Sequence, residues 1–326
     1  MIYDVDGNAI MAGSGGTGVY SVEPFISDDQ QSLVPTFNGV IALYDALVTA
    51  YPEYVTKNTM TQGSITNYEY VFTTGAYNNY SSHAFAMDAS TPKPKFLIAS
   101  GIHGNERTAP MANYVFFKSL CEGKNGLKYL REAIEFRTIP IVNAYGFDHD
   151  IRYNQNGVDL NRNFDSNWIT QGSPYYSGTS AASEDETKLV QAWLTANSDA
   201  KGFIDHHNSE VPNELCLIQS IGRANVPTKM KHNALQCGNR IITHWKLDRQ
   251  LPSTTVFFYT GVDSTGKGMM SHYADDNGIP SFILETSWNV NSTGKHSAET
   301  IGTSAETEAI TVLGMCAYID ATVFAS

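Results

Sequence analysis

Residues 95–110 read KFLIASGIHGNERTAP, and this stretch decides the fold. The run Lys95–Ser100 is apolar and short, as expected of a strand buried on both faces in a sheet covered by helices. A Gly-rich turn with His103 and Glu106 follows, and after it the pattern predicts a helix. In open α/β sheets ligands bind at the carboxyl ends of strands, which is where this pair stands. A histidine and a carboxylate three residues apart can point at one ion if the turn between them is fixed. Gly101 and Gly104 permit the backbone angles such a turn needs.

A catalytic zinc site takes three protein ligands and keeps one position open, so a third ligand has to come from elsewhere in the chain. The segment GFIDHHNS, residues 202–209, offers it at another apolar strand end. Successive side chains of a strand face opposite ways, so only one of His206 and His207 can join His103. His83, His149, His232, His244, His272 and His296 lack such a context and read as surface or internally satisfied imidazoles.

Outward from these motifs the chain alternates strands and helices. A helix is expected in TFNGVIALYDALVTAYPEYV, from residue 36 to near Pro52, and a strand in TNYEYVFTTGAY. Further strands are expected at 134–142, 202–206, 214–220 and 280–286. A helix should follow Ser183, with Ser183 and Glu186 as a capping box, and another should run from about Glu299 to Phe324. The fold class is therefore α/β: a single three-layer α/β/α domain around a mixed twisted sheet. Residues 1–30, with Asp6-Gly7-Asn8 and the stretch GSGGTG, read as an appendage and linker before a domain at 31–326.

Composition bounds the function. The 326 residues are 42% apolar and 17% charged, which suits a folded enzyme-sized unit. A net charge of −12 argues against nucleic acid or an anionic membrane as partner. No apolar run reaches the length of a membrane span and no secretory signal is evident, so a cytoplasmic location is expected, with an extracellular one by another route as the alternative. The 4 cysteines form no close pair and are expected as buried free thiols.

Between the two metal-ligand segments lies IPIVNAYGFDHDIRYNQNGVDLNRNFDSNW, residues 139–168, a strand opening into a long polar loop. Its Arg152 and Arg162 suit binding of a carboxylate and stabilisation of an oxyanion. The plainer reading pairs them with Asp148, Asp150, Asp159 or Asp165 at the surface. The succession of HGNE, NGVDLNRNF, a strand ending in histidine and FILET resembles the zinc carboxypeptidase family over most of the chain, from about residue 36 onward.

That resemblance implies one zinc ion bound by His103, Glu106 and His207, with Glu285 as the base that activates the zinc-bound water. It implies that Arg152 polarises the scissile carbonyl and that Asn161 and Arg162 hold the substrate's terminal carboxylate. A tyrosine closing over the substrate would be Tyr259, with Tyr273 as the alternative. The uncharged Met269 and Met270 lie near the expected specificity pocket. Asn105 stands where digestive members of the family have an arginine inside HxxE. The implied activity is hydrolysis of a peptide bond near a free C-terminus, in a protein or a bacterial cell-wall peptide. The related succinylglutamate desuccinylase and aspartoacylase branch shares HGNE, which keeps an N-acyl amino acid deacylase as an alternative. A non-catalytic peptide- or wall-binding module is the other.

Overall fold

The computed structural model describes residues 35–74, 92–123, 127–209, 215–220, 259–263, 267–287 and 298–323, with positions 230, 233 and 234. The expected appendage at 1–30 lies outside the described residues, as do His83, His232, His244, His296 and Cys237.

Helix α1 (Phe37–Ala50) starts at Thr36, whose side chain accepts the Gly39 N–H at 3.3 Å. Phe37, Val40, Ile41, Tyr44 and Leu47 repeat every three or four residues and form its buried stripe. The helix stops just before Tyr51, the residue that Pro52 biases away from helical angles. Strands β1 (Val55–Gln62) and β2 (Ile65–Phe72) form a hairpin across a two-residue turn in which Gly63 has a φ of +55°. Only Val55 of β1 is fully buried, so VTKNTMTQ shows no apolar alternation and its strand owes its existence to pairing with β2.

Strand β3 (Lys95–Ser100) matches the expected bounds and leads through the turn into α2 (Thr108–Glu122). Then come α3 (Leu127–Ala133) and β4 (Glu135–Ile139). β4 is shorter than the expected 134–142, since Pro140 has no N–H to continue the ladder. The segment expected as one long polar loop contains α4 (Ala144–His149) and a 3-10 turn at Leu160–Arg162.

Helix α5 (Asp185–Ala196) corrects the expected capping box. Its N-cap is Glu184, one residue later than predicted, and the Glu184 N–H donates to Asn163 Oδ1 at 3.2 Å. The Ser183 hydroxyl instead donates to the Glu184 carboxylate. The chain continues through β5 (Gly202–Ser209), β6 (Leu215–Ser220), β7 (Tyr259–Asp263), α6 (Met270–Asp276), β8 (Ser281–Ser287) and α7 (Ala298–Val323).

The described strands form one mixed eight-stranded sheet in the order β1-β2-β4-β3-β5-β8-β6-β7. β4, β3, β5 and β8 run parallel at its centre; β2 joins β4, and β6 joins β8, antiparallel. One face, with Phe96, Ile98, Ile204, Phe282 and Leu284, packs under α1, α2, α3 and α7. The other, with Leu97, Ala99 and Phe203, packs against α5, α6 and the 160–164 turn. This is the three-layer arrangement expected from the alternating pattern. The described cysteine thiols, Cys121 and Cys316, are buried and not joined in a disulfide. Among the described residues no helix is long and apolar enough to cross a membrane.

Candidate metal centre

The carboxyl ends of β3, β5 and β8 meet beneath the α5–α6 layer, and the side chains in question gather there. After Ser100, Gly101 takes a φ of +65° and turns the chain away from the sheet. Gly104 then passes so close to α4 that a Cβ would run into the backbone of Gly146. Asn143 braces this crossing: its Oδ1 accepts the Gly146 N–H at 2.8 Å and its Nδ2 donates to Ile102 O at 3.3 Å. The turn is held from both sides.

His103 and Glu106 therefore face one point. His103 Nδ1 lies 2.6 Å from Glu106 Oε1, and His207 Nδ1 lies 2.8 Å from Glu106 Oε2. Ligand atoms of the three residues all fall within 4.8 Å of one another, and all three are buried. The alternation along β5 thus selects His207. His206 turns to the opposite face, where its Nε2 meets Thr286 Oγ1 at 3.1 Å and its Nδ1 meets Glu308 at 3.3 Å.

Each histidine of the site is anchored through its second nitrogen. His103 Nε2 lies 3.1 Å from Asp159 Oδ1, and His207 Nε2 lies 2.9 Å from Asp205 Oδ1. A carboxylate behind the ring fixes its orientation and leaves Nδ1 as the atom offered to a metal. Two imidazole nitrogens and one carboxylate, buried and aimed at a common point, fit zinc. Asp205 was not among the residues expected from the sequence, although strand spacing, which puts residues 205 and 207 on one face, is a signal that could have found it. Asp159 was read only as a surface partner of the arginines. It is buried, and it joins Arg152 to His103.

Charge in the cluster is balanced closely. Burial alone would raise the Glu106 carboxyl, but His103 and His207 hold it well below the usual range. Burial likewise works against the charged form of His207, yet Asp205 and Glu106 outweigh it and raise the imidazole well above its ordinary value. His103 is raised in the same way by Glu106 and Asp159. Asp159 resists the upward push of burial because His103 and Arg152 lower it. Such a set stores protons that a divalent cation can replace.

Glu285 stands opposite His207 in the β5–β8 register. The residue as a whole is half-buried, but its Oε2 is shut off from solvent and makes no hydrogen bond among the described residues. Burial, opposed by His207, pushes its carboxyl up to about 7.

Arg152 bridges the cluster to the rim. Its Nε donates to Asp159 Oδ2 at 2.9 Å, and its Nη1 lies 3.7 Å from Glu106 Oε1. Arg162 is partly exposed and donates to the Asn161 carbonyl at 2.7 Å. Asn161, expected at the carboxylate pocket, is buried: its Oδ1 accepts the Met270 N–H at 2.8 Å and its Nδ2 lies 3.2 Å from His207 Nε2. It ties the 3-10 turn to α6 and His207.

Tyr273 faces α5, with its hydroxyl 3.3 Å from Thr195 Oγ1 and its ring against Phe164. Tyr259 opens β7 by pairing with Cys216, and its side chain lies outside the described residues. Met269 and Met270 are both buried, and Met270 belongs to the core beneath α5.

The chain belongs to the zinc carboxypeptidase family, whose model matches residues 40–287. It is 28% identical to carboxypeptidase O of Bos taurus over 137 residues, 35% of this chain and 36% of that protein. The chain thus spans about a third of the length of this curated relative. Among solved structures, carboxypeptidase A from Helicoverpa armigera matches with a TM-score of 0.63 at 20% identity, over 90% of this chain and 74% of that one. Bovine thrombin-activatable fibrinolysis inhibitor, in complex with a tick carboxypeptidase inhibitor, matches with 0.64 at 21% identity, over 90% and 98%. At these identities the likeness is one of fold.

Proposed function

We propose that this chain is a zinc-dependent metallocarboxypeptidase-type peptidase, hydrolysing the peptide bond next to a free C-terminal carboxylate. The observation that supports this most is the convergence of His103, Glu106 and His207 with Glu285 in register on the next strand. Residues 31–326 form the catalytic unit on this reading, preceded by an appendage at 1–30.

Zinc bound at the three ligands would acidify a water and polarise the scissile carbonyl. Glu285 takes the proton from the attacking water. A carboxyl raised by burial is a stronger base than an exposed one and can then return the proton to the leaving amine. Arg152, fixed by Asp159 and pointed past Glu106, stabilises the developing oxyanion. Arg162, exposed enough to meet a ligand, takes the terminal carboxylate, and Asn161 supports it from below. The closing tyrosine is assigned to Tyr259, since Tyr273 is committed to α5. A protein C-terminus and a bacterial cell-wall peptide both present the required group.

The deacylase and binding-module readings have no finding in their favour. The test is Glu285→Gln, which should retain zinc while kcat falls by roughly 10²- to 10⁴-fold on a peptide with a free C-terminus. Undiminished hydrolysis by that variant would refute the base assignment. Equal cleavage of a C-terminally amidated peptide by the wild type would refute the carboxylate requirement.

A further inference from the structure

Tyr175 is one of the few large rings left exposed, at 47% of its surface, and it stands over both arginines of the site. Its ring centroid is 5.2 Å from Arg162 Cζ and 5.8 Å from Arg152 Cζ. Among the described residues no other ring covers either guanidinium. The position is built in. On one side the Tyr153 hydroxyl, next to Arg152, donates to Pro174 O at 2.9 Å. On the other, the Asp159 N–H donates to Tyr176 O at 2.9 Å, and the Tyr175 N–H closes a turn onto Gly172 O at 2.9 Å. The same segment that places the two arginines thus clamps the backbone flanking Tyr175.

An aromatic face beside a guanidinium leaves the in-plane N–H donors free for carboxylate oxygens while screening the cation from water. Arg152 Nη1 lies 3.7 Å from the metal-ligating Glu106 and Arg162 is held at the Asn161 carbonyl, so with the roles proposed above a ring near both guanidiniums flanks the stretch from scissile carbonyl to terminal carboxylate. That stretch is the substrate's terminal residue.

We infer that Tyr175 is a substrate-contacting residue whose ring forms a wall against the C-terminal residue and favours an apolar or aromatic side chain there. This inference rests on the peptidase reading above. Both guanidiniums lie within 5.8 Å of the ring centroid, and the hydrogen-bonded backbone on either side holds the ring at that place.

The test compares wild type, Tyr175→Ala and Tyr175→Phe, all zinc-loaded, on N-acetyl-Gly-Phe and N-acetyl-Gly-Gly. Tyr175→Ala should raise KM for the Phe-terminal peptide about five- to tenfold with kcat within about twofold, and should affect the Gly-terminal peptide much less. Tyr175→Phe should keep KM near wild type, since the ring is retained. An unchanged KM in Tyr175→Ala, a fall in kcat alone, or equal losses on both peptides overturns the assignment. Binding of N-acetyl-Gly-Phe to zinc-loaded Glu285→Gln, with and without Tyr175→Ala, reads the contact without turnover. If the wild type cleaves neither peptide, this binding comparison decides the proposal by itself: a Kd weakened by Tyr175→Ala upholds the contact, and an unchanged Kd removes it.

Discussion

His206 and His207 are neighbours in the chain and both are buried, yet the two faces of β5 give them different work. His207 meets Glu106, Asp205 and Asn161 at the open ends of the parallel strands. His206 meets Thr286, Ser304 and Glu308 on the closed side, sealed under α7. One imidazole is surrounded by acids that leave a nitrogen turned to a shared point. The other joins a hydroxyl network that locks a helix to the sheet. Residue type alone does not distinguish them; the pleat does.

The largest effect should come from exchanging the roles. His207→Ala removes one of three ligands and should abolish stoichiometric zinc binding and with it turnover, while α7 stays docked. His206→Ala should keep zinc at full stoichiometry and lower stability by about 1–3 kcal/mol in urea unfolding. The loss stays below the 3–5 kcal/mol typical of a broken buried ion pair, because burial already raises Glu308 and lets it take a proton. Zinc retained by His207→Ala and lost by His206→Ala would invert the assignment of faces.

That contrast also shows how far the sequence could be read. β3 was legible to the residue because KFLIAS is apolar and ends at a glycine turn. The alternative between the two histidines needed only the register of β5, which the sequence leaves open and the pairing of His207 with Glu285 closes. β1 was hidden because VTKNTMTQ buries so little, and Pro140 ended β4 although Ile141 and Val142 continue the apolar run as core beyond the strand, where the Val142 N–H still donates to Ser100 O at 3.0 Å. α7 illustrates a deeper limit. It buries Thr303, Ser304, Thr307, Glu308 and Thr311, which a polarity pattern would place in water. Thr307 and Thr311 donate to carbonyls one turn back, and Ser304 joins Thr286, so part of the polarity is satisfied locally. Asp159 was read as a partner of the arginines, and its pairing with Arg152 is present, but its burial and its contact with His103 arise only in three dimensions.

A smaller effect should separate ligands from the groups that aim them. Asp159→Asn and Asp205→Asn each keep a hydrogen-bonding oxygen near the histidine but lose its charge, and zinc affinity should drop about 10- to 100-fold in competition with a chelator. Ser304→Ala, the matching change on the closed face, should leave zinc affinity unaltered. A Ser304→Ala variant with weakened zinc binding would mean that the two faces are coupled through Thr286 more tightly than their separate partners suggest.

The smallest effect is in the pH dependence of the metal-free protein. His207 is raised well above its ordinary value by Asp205 and Glu106, so the folded state holds that proton more tightly than the unfolded chain, whose histidines titrate near about 6.5. The stabilisation from these ion pairs is fully present below that pH. It is lost as pH rises from there through the native value. The stability difference between wild type and His207→Ala, both metal-free, should therefore shrink as pH is raised from 6 upward. Zinc should cancel this dependence in the wild type, because a metal at Nδ1 occupies the place of the proton whose loss weakens the apoprotein. Unfolding curves taken across that range with and without zinc would show whether the open face of β5 is built around a cation, with the proton as its substitute. A difference that instead grew with pH in the metal-free proteins would mean that His207 is neutral when folded and that the surrounding acids are balanced by other groups.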